Sequence, residues 1–74
     1  MEIIAKNRIT GRTAQAITAE VNRCGQCVLF RKDGRTVNAG SLLGVLSLVI
    51  MPGDAVEVIV EGDTNILSTI KELF

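Results

Sequence analysis

The stretch CVLFRKDGRTVN, residues 27–38, restricts the fold more than any other part of this chain. Two short runs flank Asp33-Gly34, a dipeptide favoured at the centre of a type I′ turn because both central residues need positive φ. A hairpin is therefore expected here. A further strand signal lies in AVEVIVE, Ala55 to Glu61. Its alternation puts Val56, Val58 and Val60 on one face and Glu57, Ile59 and Glu61 on the other. EIIAKNRI, Glu2 to Ile9, mixes β-branched and polar residues and reads as a first strand, ended by Thr10-Gly11.

Between these strands the apolar period changes. Ala14, Ile17, Val21 and Cys24 recur at spacings of three and four, which is one face of an amphipathic helix. Thr13 is placed as its N-cap and Gly25 as its terminator. Gly40-Ser41 opens a short apolar helix reaching about Leu48, and MPGD, Met51 to Asp54, reads as a turn. Ile66, Leu67, Ile70 and Phe74 have helical spacing, with Asp63 or Thr64 as cap and Lys71 near the C-terminal end of the dipole. The order is β-α-β-β-α-β-α. In a chain this short it implies an α+β open-faced sandwich, a four-stranded antiparallel sheet with three helices on one face.

Composition narrows the function classes. The 74 residues are expected to form one small domain, 1–74, burying only about 60% of the surface exposed on unfolding. Eight basic and eight acidic residues cancel and are spread along the chain, and both aromatics are Phe. That lacks the basic footprint and stacking platform of a nucleic-acid binder. The longest apolar stretch, around Leu42 to Met51, is interrupted by Gly44 and Ser47 and falls short of the roughly 20 residues that span a bilayer. No basic region precedes an apolar one at the start, so a signal peptide is not expected. These readings imply a soluble cytoplasmic protein with no membrane or nucleic-acid partner and no cofactor.

Two stretches resemble one family, HPr, the histidine phosphocarrier of the bacterial sugar phosphotransferase system. DGRTVNAGSLLGVLSL, Asp33 to Leu48, is similar to that family's hairpin, regulatory serine and following helix, with Gly34, Thr36-Val37-Asn38, Ser41, Gly44-Val45 and Ser47-Leu48 in register. GRTAQAI, Gly11 to Ile17, resembles its Gly-x-His-Ala-Arg-Pro-Ala segment. The resemblance covers nearly the whole chain and implies an HPr-like fold. It also implies a degenerate active site. The histidine position is Thr13, the arginine position Gln15 and the proline position Ala16, and the chain contains no histidine. A threonine phosphate is a far more stable ester than a phosphohistidine, and loss of the arginine removes the fork for phosphate oxygens. Arg12 is the remaining nearby cation. Phosphoryl transfer from enzyme I through this site is not expected. A capped helix without that chemistry and a retained anion site at the helix start both remain open.

Ser41 matches the serine that an ATP-dependent HPr kinase phosphorylates in Gram-positive relatives. On local grounds it is an N-cap, contributing about 1 kcal/mol, and a phosphate there would gain from the dipole and free N–H groups. Val45, Leu48 and Val49 are expected to be buried, leaving Leu42, Leu43 and Leu46 as a surface patch or as part of a thicker core. In HPr relatives that position is the partner-docking surface. Some regulatory HPr paralogues lack the histidine, keep the serine, and bind a transcription regulator when phosphorylated. The resemblance thus implies a regulatory binding module whose partner is a phosphotransferase system component or a transcription regulator.

Cys24 and Cys27 form a Cys-x-x-Cys pair. Redox activity in such pairs depends on a helix N-terminus beside the first thiol, whereas Cys24 ends a helix and continues its apolar stripe. A buried packing role is the first reading, a reversible disulfide or a zinc ion shared between two protomers the second, and a redox module using Cys24 and Cys27 the last.

Overall fold

The hairpin forms where its turn chemistry places it. In the computed structural model, which describes residues 1–74, strands β2 (Cys27–Lys32) and β3 (Arg35–Asn38) pair antiparallel, with Lys32 opposite Arg35. Asp33 and Gly34 take φ of 52° and 78°, the left-handed pair that a type I′ turn requires. Strand β4 (Ala55–Glu61) lies on the other side of β2, and β1 (Glu2–Ile4) pairs with β4. The sheet is antiparallel, in the order β1-β4-β2-β3. Helices α1 (Gly11–Cys24), α2 (Leu42–Ser47) and α3 (Ile66–Leu73) complete the expected β-α-β-β-α-β-α sequence.

Strand alternation separates two faces. Ile3, Val28, Phe30, Val56 and Val58 are buried, while Ile4, Cys27, Arg31, Ala55 and Glu61 are exposed on the uncovered side. The helices cover the first face, and 17 apolar residues form one core. Its largest side chains, Phe30 and Phe74, meet edge to face with ring centroids 5.6 Å apart, a favoured aromatic geometry. Ala14, Ile17 and Val21 supply the α1 stripe, and Gly25 ends α1 with φ of 69°. Thr18 is the one buried polar residue, and its hydroxyl donates to the Gln15 carbonyl at 3.1 Å, which satisfies it locally.

Three sequence boundaries shift. Strand β1 stops at Ile4 instead of continuing to Ile9, because the Lys6 and Asn7 N–H groups both donate to the Phe74 carbonyl, at 3.0 and 3.2 Å, and leave the ladder. Ala5 and Ile9 nevertheless remain in the core. The last helix has Asn65 as N-cap, not Asp63 or Thr64. Asp63 acts one step earlier, its carboxylate accepting from the Asn65 N–H at 3.0 Å. The cap of α1 also moves, as described next.

Candidate functional site: the starts of α1 and α2

Thr10, not Thr13, caps α1. Thr10 is extended, with φ −81° and ψ 173°, and its carbonyl already accepts the first intrahelical bond from Ala14 at 2.9 Å. Its hydroxyl oxygen accepts from the Thr13 N–H at 3.4 Å. The helix therefore opens three residues before the expected cap, and Thr13 lies inside the first turn. The Thr13 hydroxyl is 3.4 Å from that of Thr10 and half-buried. Arg12 and Gln15 are exposed. Three residues apart, they neighbour each other on the helix surface, whereas Thr13 and Gln15, two apart, do not share a face. The turn offers N–H groups and hydroxyls, but no imidazole to carry a phosphoryl group.

Ser41 caps α2 as the sequence indicates. Its hydroxyl oxygen accepts from the Gly44 N–H at 3.2 Å, and the residue is exposed. The loop before it is fixed from two sides. The Gly40 N–H donates to Asn38 Oδ1 at 2.8 Å, and Asn22 of α1 donates through Nδ2 to the Gly40 carbonyl at 3.1 Å. A Cβ on residue 40 would lie 2.9 Å from Asn22 Oδ1 and 3.2 Å from Asn38 Oδ1, so close approach explains this glycine. Helix α1 thereby holds the backbone just before Ser41 through Asn22.

The apolar surface beside Ser41 differs from the expected patch. Leu43 is 80% exposed, but Leu42 and Leu46 are half-buried and pack against the core. Val49, expected inside, is 64% exposed, and Met51 is also exposed. The helix ends at Ser47 and Val49 takes φ of 50°. That backbone reversal turns Val49 out of helical register, and Leu48 and Ile50 are buried on either side of it. Leu43, Val49 and Met51 are thus the exposed apolar side chains of this region. The helical periodicity that runs through residues 42–49 gives no sign of the reversal.

Basic side chains from the hairpin close the other end of α2. Arg35 donates to the Ser47 carbonyl at 2.8 Å and to the Ser47 hydroxyl oxygen at 3.2 Å. Lys32 Nζ donates to the Leu48 and Val49 carbonyls at 3.0 and 3.1 Å and pairs with Asp54 Oδ2 at 3.1 Å. The Met51 N–H, foremost, and Lys32 hold the Asp54 carboxyl below the ordinary aspartate range. Nothing in the sequence near residues 42–51 signals these partners, because the hairpin supplies them.

The two cysteines lie in different layers of the fold. Cys24 belongs to the helix layer, its thiol donating to the Val21 carbonyl at 3.1 Å. Cys27 precedes inward-facing Val28 and so lies on the open face of the sheet. Both thiols are free. No group of three or more His, Cys, Asp or Glu side chains is gathered to hold a metal ion. No helix is long and apolar enough to cross a membrane.

The PTS-HPr family, described as "PTS HPr component phosphorylation site", matches residues 1–74. The chain belongs to the HPr family. It is 35% identical over 63 residues to the HPr-like protein Crh of Bacillus subtilis, covering 85% of this chain and 74% of that protein. Its fold superposes on a phosphocarrier HPr from Bacillus anthracis with a TM-score of 0.86 and 30% identity, over 99% of this chain and 92% of that one. The Bacillus subtilis Crh crystal structure, described as a catabolite-repression protein forming a domain-swapped dimer, matches with a TM-score of 0.77 and 31% identity. That match covers 99% of this chain and 86% of the Crh chain. The chain contains no histidine.

Proposed function

We propose that this HPr-family chain is a regulatory, protein-binding module, not a histidine phosphocarrier, and that phosphorylation of Ser41 switches it. The observation that carries the reading is the exposed Ser41 hydroxyl at the first turn of α2, beside exposed Leu43, in a chain with Thr13 at the family's histidine position. A kinase would transfer the γ-phosphoryl of ATP to Ser41 Oγ, breaking the β–γ phosphoanhydride bond to leave ADP and releasing the hydroxyl proton. The product adds about −1.5 to −2 charges next to an apolar surface, so partner choice changes electrostatically. The start of α2 tolerates that charge because its free N–H groups point toward it.

The partner in this reading is a phosphotransferase system component or a transcription regulator, docking on Leu43 and the exposed edges of Leu42 and Leu46. The chain acts as a single HPr-like domain, residues 1–74, in a bacterial cytoplasm. Crh is similar in sequence and is described as an HPr-like catabolite-repression protein, which supports a regulatory role over a carrier role.

The test is incubation with HPr kinase and ATP, read by intact mass, beside a parallel incubation with phosphorylated enzyme I. One phosphoryl group added by the kinase, absent in Ser41→Ala, and none added by enzyme I is the expected result. No kinase product, while an ordinary HPr reacts in the same tube, would reduce Ser41 to a helix cap and leave an unswitched interaction domain. Labelling by enzyme I would remove the distinction from a carrier.

A further inference from the structure

The segment that follows α2 holds a backbone conformation that its own residues do not favour. Val49 lies at φ of 50°, the left-handed position at a helix end that glycine normally fills. For a β-branched residue this is a genuine outlier, because the Cβ crowds the following carbonyl oxygen. Local bonds are weak compensation. The Leu48 N–H reaches the Val45 carbonyl at 3.3 Å and the Val49 N–H reaches the Leu46 carbonyl at 3.2 Å, both at the long end of the normal range.

The compensation comes from Lys32, 17 residues away in sequence from Val49. Its ammonium gathers the Leu48 and Val49 carbonyls, at 3.0 and 3.1 Å. Its charge is balanced by Asp54 at 3.1 Å and, more distantly, by Asp33 at 3.7 Å. Asp54 Oδ2 in turn accepts from the Met51 N–H at 2.8 Å. One ammonium therefore joins the hairpin turn, the end of α2 and the turn leading into β4. The Lys32 side chain is only 14% exposed, so water screens these bonds less than it would on an open surface. Arg35 cannot replace it, since its bonds end at Ser47.

We propose that Lys32 is the latch of a two-state segment, residues 48–51. With the ammonium in place, Val49 stays left-handed and the Val49 and Met51 side chains are displayed beside α2. Without it, Val49 leaves that conformation and the apolar surface rearranges, while the sheet and α1 remain folded. This goes beyond the Ser41 reading and does not depend on it. Lys32 acts here as a positioning residue.

Amide hydrogen exchange on Lys32→Met, which keeps the apolar stem but removes the charge and donors, tests the latch. Exchange at the Val49 and Met51 amides should rise on the order of ten- to a hundredfold, the loss expected for charged hydrogen bonds, with Val28 and Val58 unchanged. Adding Val49→Gly to Lys32→Met should restore Met51 protection, because glycine holds the turn unaided. Val49→Gly alone should raise the unfolding midpoint. Unchanged exchange at Val49 and Met51, or an equal rise at every amide, would overturn the latch. So would a midpoint lowered by Val49→Gly, a result that stands even if Lys32→Met does not fold.

Discussion

Helices α1 and α2 share a plan and differ in what completes it. Each begins on a hydroxyl cap, Thr10 or Ser41, and each is followed by a left-handed residue, Gly25 at φ 69° directly after α1 or Val49 at φ 50° one residue beyond the Leu48 cap of α2. Helix α1 has 14 residues and a glycine that takes its final conformation without steric cost. Helix α2 has six, far below the roughly 12–15 residues at which an isolated helix becomes even marginal in water. It persists because Val45 and Leu48 anchor it in the core and two hairpin cations hold its last carbonyls. Helix α1 is therefore closed at both ends by its own flanking residues, and α2 is a surface element whose end is held from outside. A helix of the second kind is the better place for a charge-driven change of partner.

The largest effect that can break this comparison is at Gly25. A Cβ there meets nothing within 4 Å, so Gly25→Ala isolates the backbone penalty, about 1–2 kcal/mol for a left-handed L-residue. Urea unfolding should show a lower midpoint with an unchanged slope. A variant as stable as the parent would mean that α1 does not end as described, and the contrast with Val49 would fail. The sign should be opposite to that of Val49→Gly, since one substitution adds a Cβ at a left-handed position and the other removes one.

The helix starts give a smaller effect. Thr10→Ala removes the cap of α1 and should cost about 1 kcal/mol, whereas Thr13→Ala, inside the first turn, should cost roughly half that or less. Chemical denaturation of the two variants ranks them directly. The reverse order would return the cap to Thr13 and place the start of α1 three residues later.

The architecture was legible because its signals are local. Asp33-Gly34 specifies its own turn, Ala55 to Glu61 specifies its own faces, and the stripe from Ala14 to Val21 specifies one side of a helix. The caps of α1 and α3 were missed by choosing among neighbouring candidates, and the larger errors arose where a distant partner decides the outcome. Thr10 and Thr13 both precede the α1 stripe, and only the Thr10 carbonyl bond to Ala14 shows which one caps it. Residues after Ile4 stay polar and β-branched, yet leave the sheet because Phe74, 70 residues downstream of Ile4 in a 74-residue chain, accepts their N–H groups. Val49 continues the apolar run of α2, and its reversal depends on Lys32. Ser41 was legible because a cap is a local device. The shape of the apolar surface beside it was not, since Lys32 and Asp54 define that surface from outside the helix.

The smallest effect, and the sharpest test of how the two helix ends differ, comes from acid. The Met51 N–H and then Lys32 lower the Asp54 carboxyl below the ordinary aspartate value of 3.8. Both interactions favour the charged carboxylate, so its contribution to the fold is fully present above that value and is lost as pH falls through the lower folded value. Asp33 lies farther from the same ammonium, at 3.7 Å, and partial exposure of Asp54 leaves the pair open to screening by salt. The end of α1 is closed without a charged partner, because Gly25 takes its left-handed conformation unaided. In an NMR titration the Met51 and Val49 amides should therefore follow a transition below 3.8 that Asp54→Asn removes, while the Gly25 amide does not share it. If Gly25 and Met51 moved together, acid would be loosening the whole fold. The difference between a helix closed by glycine and one closed by lysine would then not be electrostatic.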